Sequence, residues 1–326
     1  MRELLIKKND AGQRLDKFIT KTLDLPTSLL YKSIRLKKIK VNRKRAEIGQ
    51  LLSEGDTVQC FLAEEFFSRL DEASGDTPCE SSLSRLTPSL NIAYEDENII
   101  VLNKRPGVSV HEDENGASDT LITNILAYLY QKGEYRPSEE MSFTPALCNR
   151  IDRNTGGLVI AAKNAESLRI MNERIKAREI DKYYLAAVHG TPNPKEATLR
   201  AYLTKDEKTK TVRVYGSARR GAKEIITRYK VIARTGDTSL IEVELLTGRT
   251  HQIRAHMAYI GHPLIGDGKY GENKADRALG YKHQALYSYR LRFSFKTDAG
   301  LLSYLTGKEI SVPKDDIYFT KNFFKK

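Results

Sequence analysis

One segment of this chain reads CNRIDRNTGGLVIAAK, from Cys148 to Lys163. The glycine pair at 156 and 157 predicts a turn, and the apolar run from Leu158 to Ala162 predicts a buried strand. Asp152 therefore lies on a loop that leads into a core strand, with an arginine two positions before it and another directly after it.

An aspartate in this position has two interpretations. Most such residues form a turn or a salt bridge, and taken alone the segment favours that structural role. The alternative is a carboxylate that nearby cations keep ionised, which can serve as nucleophile or base. Arg150 and Arg153 would supply those cations, so the choice depends on the rest of the chain.

Two later segments carry further polar residues next to predicted strands. The segment KYYLAAVHG, residues 182–190, predicts a strand that ends at a turn. The segment EVELLTGRTHQIRAHM, residues 242–257, predicts a strand, a turn and a helix. Arg249, His251 and Arg254 lie at this junction, which could offer backbone N–H groups and cationic side chains to an anion.

The histidines do not have the spacing of a metal site. His251 and His256 are five residues apart, about 140° around a helix, whereas a zinc pair on one helix face requires positions i and i+4. His262 lies beyond Gly261, and no acidic or cysteine set lies nearby. We therefore expect no metal, and no phosphate loop or dinucleotide motif predicts a nucleotide cofactor.

Charge is distributed unevenly along the 326 residues, whose net charge is +12. Residues 1–62 carry +7, residues 63–90 carry −4 and residues 91–326 carry +9. Eight of the fourteen residues from 32 to 45 are basic and none is acidic: Lys32, Arg35, Lys37, Lys38, Lys40, Arg43, Lys44 and Arg45. A solvated face usually mixes charges, so this basic cluster favours a phosphate-binding surface over an ordinary exposed one.

Composition limits the protein class. An apolar fraction of 40% and a charged fraction of 29% indicate a globular chain. Three widely separated cysteines argue against a disulfide framework and favour a reducing compartment. No apolar run approaches the length of a membrane span, so we expect a soluble, cytoplasmic monomer.

The N-terminal 62 residues predict a small module of two helices followed by strands. The segments RLDKF (14–18), KVN (40–42) and EGDTV (54–58) resemble the S4 RNA-binding domain, which implies an αL-motif-like fold that binds structured RNA. Residues 63–90 are acidic and rich in serine, and predict a linker. Residues 314–326 predict a basic C-terminal tail.

The remaining segments, taken in order, resemble the RluA-type pseudouridine synthase family. The resemblance rests on NRIDRNTGGL (149–158), KYYLA (182–186) and GRTHQIRAH (248–256), supported by NKRPG (103–107) and Gly266-Asp267. It covers residues 91–313 and implies an α+β catalytic domain with a long, mainly antiparallel mixed sheet flanked by helices. The family usually has His and Leu where this chain has Asn149 and Ile151, and often Ser at Gly156.

The resemblance also implies residue roles. Asp152 would be the catalytic carboxylate, as nucleophile or as base, and Arg254 would pair with it. Tyr184 would stack on the uracil or assist proton transfer at C5, although a core aromatic role is the alternative. Arg150 would fill the space of the flipped base, and Arg249 and His251 would contact RNA. Ribosomal RNA is the implied partner, and the isomerisation requires no cofactor.

Two other functions stay open at this level. A non-catalytic RNA-binding or assembly factor would keep the fold without the chemistry. A metal-dependent RNA hydrolase would share the basic surface but would cleave the RNA chain.

Overall fold

The computed structural model describes residues 1–68, 70, 78–111 and 119–324. The chain divides into two compact units. The first comprises residues 1–89, 122–146 and 162–169, and the second comprises residues 90–121, 147–161 and 170–326. The second unit differs from the predicted catalytic domain, because residues 122–146 and 162–169 group with the N-terminal unit.

The N-terminal unit begins with a small sheet and two helices. Its elements are β1 (Arg2–Leu5), α1 (Leu15–Thr22), α2 (Thr27–Arg35), β2 (Ile39–Val41), β3 (Lys44–Arg45) and β4 (Thr57–Cys60). The four strands pair in the order β1-β4-β2-β3. Both predicted helices are confirmed, and Leu15, Phe18 and Leu30 are fully buried between them and the sheet. Helix α2 begins at Thr27, and Pro26 occupies its N-cap position.

The interval 63–90, predicted as a linker, is folded where the structure describes it. It contains the 3-10 helix Glu64–Phe67 and helix α3 (Pro78–Arg85). Phe67 is fully buried in the core of the N-terminal unit. Burying one such side chain contributes roughly 1.5–3 kcal/mol to the free energy of unfolding. The composition of the interval is acidic on average and does not reveal this contribution. Residues 69 and 71–77 lie outside the described part.

The predicted basic tail is also folded. Residues 314–316 and 320–322 form 3-10 helices, and Ile317 and Phe319 are fully buried in the core of the second unit. These two apolar side chains anchor a segment whose charge suggested an exposed tail.

The other helices and strands follow in chain order. They are β5 (Ile92–Glu95), β6 (Ile99–Lys104), α4 (Leu121–Gln131), β7 (Ala146–Leu147), β8 (Gly156–Ala162), α5 (Ala165–Lys176), β9 (Ile180–His189), β10 (Glu196–Asp206), β11 (Thr211–Tyr215), β12 (Lys223–Thr235), β13 (Thr238–Leu245), α6 (Gln252–Tyr259), α7 (Lys274–Ala278), β14 (Leu286–Phe293) and β15 (Glu309–Ser311). The strands predicted at residues 158–162 and 182–190 are confirmed, as are the strand, turn and helix predicted within residues 242–257.

Within the described residues, eleven strands form one mixed sheet. The main path runs β11-β10-β12-β13-β9-β14-β8-β6-β5, with β15 beside β14 and β7 beside β8. Pairing is antiparallel from β11 through β14, whereas β14 and β8 are parallel. This confirms an α+β fold built on a large mixed sheet. No helix in the described ranges is long and apolar enough to cross a membrane.

The glycine pair at the start of β8 permits a close approach to β14. Gly157 has φ +112°, and a Cβ atom there would lie 2.1 Å from the backbone oxygen of Ser288. A Cβ on Gly156 would lie 2.4 Å from the ring of Tyr287. The parallel pairing of β8 with β14 therefore requires glycine at both positions, and this pairing fixes where the Asp152 loop ends.

Gly157→Ala tests this packing. Backbone overlap and an unfavourable φ act together, so we expect a loss of about 3–5 kcal/mol in the free energy of unfolding, measured by urea denaturation with circular dichroism. Gly280→Ala is the matched control, because its φ is +91° and no atom lies within 4 Å of the added Cβ. Equal losses in the two variants would contradict the packing argument.

Candidate active site

The Asp152 loop is fixed at both ends by hydrogen bonds. The Ile160 N–H donates to Asn149 Oδ1 at 2.8 Å, and the Thr155 N–H donates to the Asp152 carbonyl at 3.0 Å. The Gly107 N–H donates to the Arg153 carbonyl at 2.9 Å. Asn149, where the family usually has His, thus ties the loop to strand β8.

The buried Lys104, at the end of β6, fixes the same loop through hydrogen bonds. The Lys104 side chain is 2% exposed, and its ammonium donates to the carbonyl oxygens of Arg105, Val108 and Arg153 at 3.1, 3.0 and 2.8 Å. Burial lowers the pKa of Lys104 to about 8, and the negative charge of Asp152 partly offsets that effect. Lys104 therefore places a cation within electrostatic reach of Asp152.

Arg254 joins two carboxylates. Its Nη1 donates to Asp152 Oδ2 at 2.9 Å, while Nε and Nη2 donate to the two oxygens of Asp267 at 2.7 and 2.8 Å. Asp267 is fully buried, and Asp152 is 29% exposed. The bidentate pair with Asp267 therefore fixes the guanidinium group, and the third contact aims it at the accessible carboxylate.

Electrostatics keep the Arg254–Asp267 pair ionised. Burial alone would raise the pKa of Asp267, but hydrogen bonds and charge from Arg254 outweigh burial and hold that pKa below its usual value. Burial would likewise lower the pKa of Arg254, yet Asp267 and Asp152 raise it. Arg254 thus presents a permanent cation to Asp152.

The turn before α6 places His251 beside the same carboxylate. Gln252 holds the turn, since its Oε1 accepts from the Thr247 hydroxyl and the Arg249 N–H. That Arg249 N–H is therefore engaged within the turn rather than offered to an anion. His251 Nε2 lies 3.8 Å from Asp152 Oδ2, and Nδ1 lies 2.8 Å from the Tyr270 hydroxyl oxygen.

Tyr184 lies on β9, beside the strand that pairs with β8. Its register partner on β14 is Ser288, which in turn pairs with Gly157. The side chain is 6% exposed, and burial raises the pKa of its phenol to about 12. The charge of Asp152 adds to this rise, so the two groups interact electrostatically and Tyr184 is neutral near pH 7.

The predicted residues fall into three groups. Asp152, Arg254 and His251 lie together, and Tyr184 is within electrostatic reach of Asp152. Arg150 and Arg249 are exposed in the same unit. The basic cluster lies in the N-terminal unit, on the end of α2, on strands β2 and β3 and on the turns beside them, where every member except half-buried Lys40 is exposed.

The sequence did not assign roles to three side chains at this site. Asp267 and Lys104 fall within segments of the resemblance, but nothing in their spacing indicates contacts with Arg254 or with the Asp152 loop. Tyr270 lies outside every segment that carries the resemblance. The one sequence feature that connects Tyr270 to the site is its position three residues after Asp267. No group of three or more His, Cys, Asp or Glu among the described residues could hold a metal ion.

Comparisons with known proteins match most of the chain. Residues 98–259 match the family model of RNA pseudouridylate synthase. The chain is 32% identical over 294 residues to ribosomal large subunit pseudouridine synthase C of Vibrio vulnificus, covering 89% of this chain and 87% of the relative. It is 30% identical over 328 residues to ribosomal large subunit pseudouridine synthase D of Borreliella burgdorferi, covering 99% and 93%.

A solved structure supports the fold. The structure of human RNA pseudouridylate synthase domain containing 1 superposes with a TM-score of 0.53 at 24% identity, covering 70% of this chain and 86% of that one.

Asp267→Asn tests the buried charge pair. We expect a loss of roughly 3 kcal/mol in the free energy of unfolding at neutral pH, because one partner of a buried pair is removed. The pKa of Asp267 is lowered in the folded state, so its contribution is complete above the unfolded pKa of about 3.9 and is lost as the pH falls through the folded pKa. Urea denaturation between neutral and acid pH should therefore show the variant and the parent converging.

The exposed Asp315 supplies the matched control. Asp315→Asn should differ little from the parent at any pH. A difference between Asp267→Asn and the parent that stays constant on acidification would contradict the assigned ion pair.

Proposed function

The chain belongs to the RluA type of the RNA pseudouridylate synthase family, and we propose that it isomerises uridines of large-subunit ribosomal RNA. The substrate proposal rests on the relatives, which are named ribosomal large subunit pseudouridine synthases. The observation that supports the site is the Asp152–Arg254–Asp267 chain, in which a buried ion pair directs a guanidinium group at one accessible carboxylate.

The reaction rearranges bonds without a change in oxidation state. The N1–C1′ bond of uridine breaks, a C5–C1′ bond forms, C5 loses its proton and N1 gains one. A carboxylate beside the ribose can attack it or remove a ribose proton, and either role requires the ionised form. Arg254 Nη1 donates a charge-assisted hydrogen bond to Asp152 Oδ2 at 2.9 Å, which orients the carboxylate.

Tyr184 is proposed to contact the uracil. Its pKa of about 12 makes the phenol a weak acid at neutral pH, so it would act as a stacking surface and hydrogen-bond donor rather than as a phenolate base.

A uridine within folded RNA must be flipped out of its stack to reach Asp152. Flipping costs a few kcal/mol, about the energy of unstacking one base, and contacts to the RNA backbone must offset this cost. Arg150 is exposed two residues from Asp152, which suits a side chain that fills the vacated space. Arg249 is exposed two residues before His251 and would contact phosphate.

We also propose that residues 1–62 form an S4-type RNA-binding module. The β2–β3 hairpin turns at Asn42 and Arg43, whose φ values are +51° and +64°. Asn42 Oδ1 accepts from the Thr57 N–H, and Gln59 Oε1 accepts from the Arg43 N–H. This turn displays cations on a fixed backbone, as phosphate recognition requires. The expected monomeric state and cytoplasmic location stay predictions.

Asp152→Asn tests the catalytic assignment. We expect the variant to bind RNA like the parent but to lose at least about a thousandfold in turnover, because an amide cannot replace an ionised carboxylate in these roles. The measurement is release of tritium from large-subunit ribosomal RNA labelled at uracil C5, together with mapping of pseudouridine. Conversion at the parental rate would refute the role of Asp152.

The same assay separates the other functions. Asp315→Asn, outside the site, should keep full turnover. Cleavage of the RNA chain that a chelator abolishes would favour a hydrolase. RNA binding with no tritium release by the parent would favour a non-catalytic factor.

The basic cluster makes a separate prediction about binding. Replacing Lys37, Lys38 and Arg43–Arg45 with Gln should weaken RNA affinity. The slope of log affinity against log salt should fall by as much as about 0.7–0.9 for each phosphate that the variant no longer neutralises. The control variant replaces Lys308, Lys314 and Lys321 in the second unit, which removes positive charge and leaves the basic cluster intact. An unchanged slope in the cluster variant would contradict the proposed S4 surface.

A further inference from the structure

Tyr270 has no part in the function proposed above, yet its hydroxyl group lies at the centre of a network beside Asp152. The Val212 N–H donates to the Tyr270 oxygen at 3.0 Å, and that oxygen lies 2.8 Å from His251 Nδ1. His251 Nε2 lies 3.8 Å from Asp152 Oδ2. The network therefore runs from edge strand β11 to the accessible carboxylate.

The direction of each hydrogen bond follows from its donors. A backbone N–H can only donate, so the Tyr270 oxygen accepts from Val212 and its own proton is available for His251 Nδ1. A neutral imidazole carries one proton, which then lies on Nε2 and faces Asp152. The opposite tautomer would direct the Nε2 lone pair at a carboxylate oxygen, which is electrostatically unfavourable.

The His251 backbone is held in an unfavourable conformation. Its φ of +50° and ψ of +21° lie in the left-handed region, which costs a non-glycine residue about 1–2 kcal/mol. Its ring packs edge-on against the Tyr270 ring, with 5.6 Å between centroids. Strain retained next to a reacting group indicates a functional requirement for that geometry.

The groups that face His251 leave it neutral near pH 7. Burial lowers the pKa of the imidazole; the charges of Asp152 and Asp267 oppose this, and those of Arg254 and Lys269 reinforce it. A neutral imidazole can donate from Nε2 while it accepts at Nδ1, which an imidazolium cannot do.

We propose that Tyr270 is a positioning residue: it holds His251 in the Nε2–H tautomer, and His251 in turn orients the Asp152 carboxylate for reaction. The inference rests on the proposed catalytic role of Asp152. Arg254 and His251 both lie at Oδ2. Arg254 donates a hydrogen bond to that oxygen and His251 Nε2 lies 3.8 Å from it, which leaves Oδ1 as the oxygen that meets the ribose.

Tyr270→Phe deletes the hydroxyl and keeps the ring. We expect kcat to fall about tenfold, because the Asp152 carboxylate would be less well oriented for reaction. KM for the tritiated ribosomal RNA should change by less than about twofold. The hydroxyl stabilises neutral His251, so its removal raises the pKa of His251. The acid limb of the kcat–pH profile should therefore move to higher pH, which a purely structural defect would not cause.

His251→Gln supplies the second arm. Glutamine does not titrate, so the His251 part of the acid limb should disappear. Adding Tyr270→Phe to His251→Gln should then change kcat by less than about twofold, because the two residues act in series. Tyr259→Phe and His283→Gln are matched controls at exposed positions and should behave like the parent.

A readout independent of turnover is the imidazole tautomer. Nitrogen NMR of the protein labelled in histidine should show His251 protonated at Nε2 in the parent, and a mixed or reversed tautomer in Tyr270→Phe. His251→Gln assigns the signal. An Nδ1–H tautomer in the parent would overturn the proposal even if Tyr270→Phe fails to fold.

The remaining outcomes are also decisive. If Tyr270→Phe keeps the parental kcat and the parental acid limb, the proposed role of Tyr270 is wrong. It is also wrong if Tyr270→Phe lowers kcat by the same factor in His251→Gln as in the parent. If Asp152→Asn stays active, the proposed function fails first. If Asp152→Asn is inactive while Tyr270→Phe matches the parent, only the proposed positioning role of Tyr270 fails.

Discussion

The buried guanidinium group of Arg254 is the interaction on which the site depends. Removing a charge from water costs several kcal/mol unless charged partners and hydrogen bonds compensate. Asp267 supplies two charge-assisted bonds and Asp152 supplies a third. Arg254 is therefore stable in the interior because it contacts both carboxylates, and its one guanidinium group links the accessible Asp152 to the inaccessible Asp267.

This arrangement requires segments far apart in the chain to meet with little tolerance. The Asp152 loop is set by the pairing of β8 with β14, which only glycine at 156 and 157 permits. Lys104 ties the same loop to the end of β6 through three carbonyl oxygens. Asp267 is fixed in turn by the N–H groups of Lys269 and Tyr270. The large sheet supplies the rigid frame that holds these short segments in place.

The sequence predicted the parts of this structure that depend on local patterns. The strand of Tyr184 and the strand–turn–helix junction at Arg254 follow from periodicity and glycine placement. The turn predicted at Gly156 and Gly157 is wrong, because both glycines begin strand β8, where its close approach to β14 requires them. Asp267, Lys104 and Tyr270 did not follow, because their roles come from contacts across the fold and no spacing rule encodes them. The folded segments at 64–67, 78–85 and 314–322 were missed for a related reason. A single buried Phe67 or Phe319 decides the structure of a segment whose average composition is polar.

The distribution of charge separates binding from chemistry. The exposed cations of the basic cluster lie where solvent and salt screen them, as suits sequence-independent contacts with phosphate. The charges at the site are largely buried and nearly balanced, with Lys104 and Arg254 against Asp152 and Asp267. Balanced charges held in fixed positions need little reorganisation when a reaction shifts charge, so they suit an isomerisation in which no net charge enters or leaves. We therefore propose that the excess of positive charge serves the recognition of RNA and that the chemistry depends on Asp152, whose carboxylate is held by its buried neighbours.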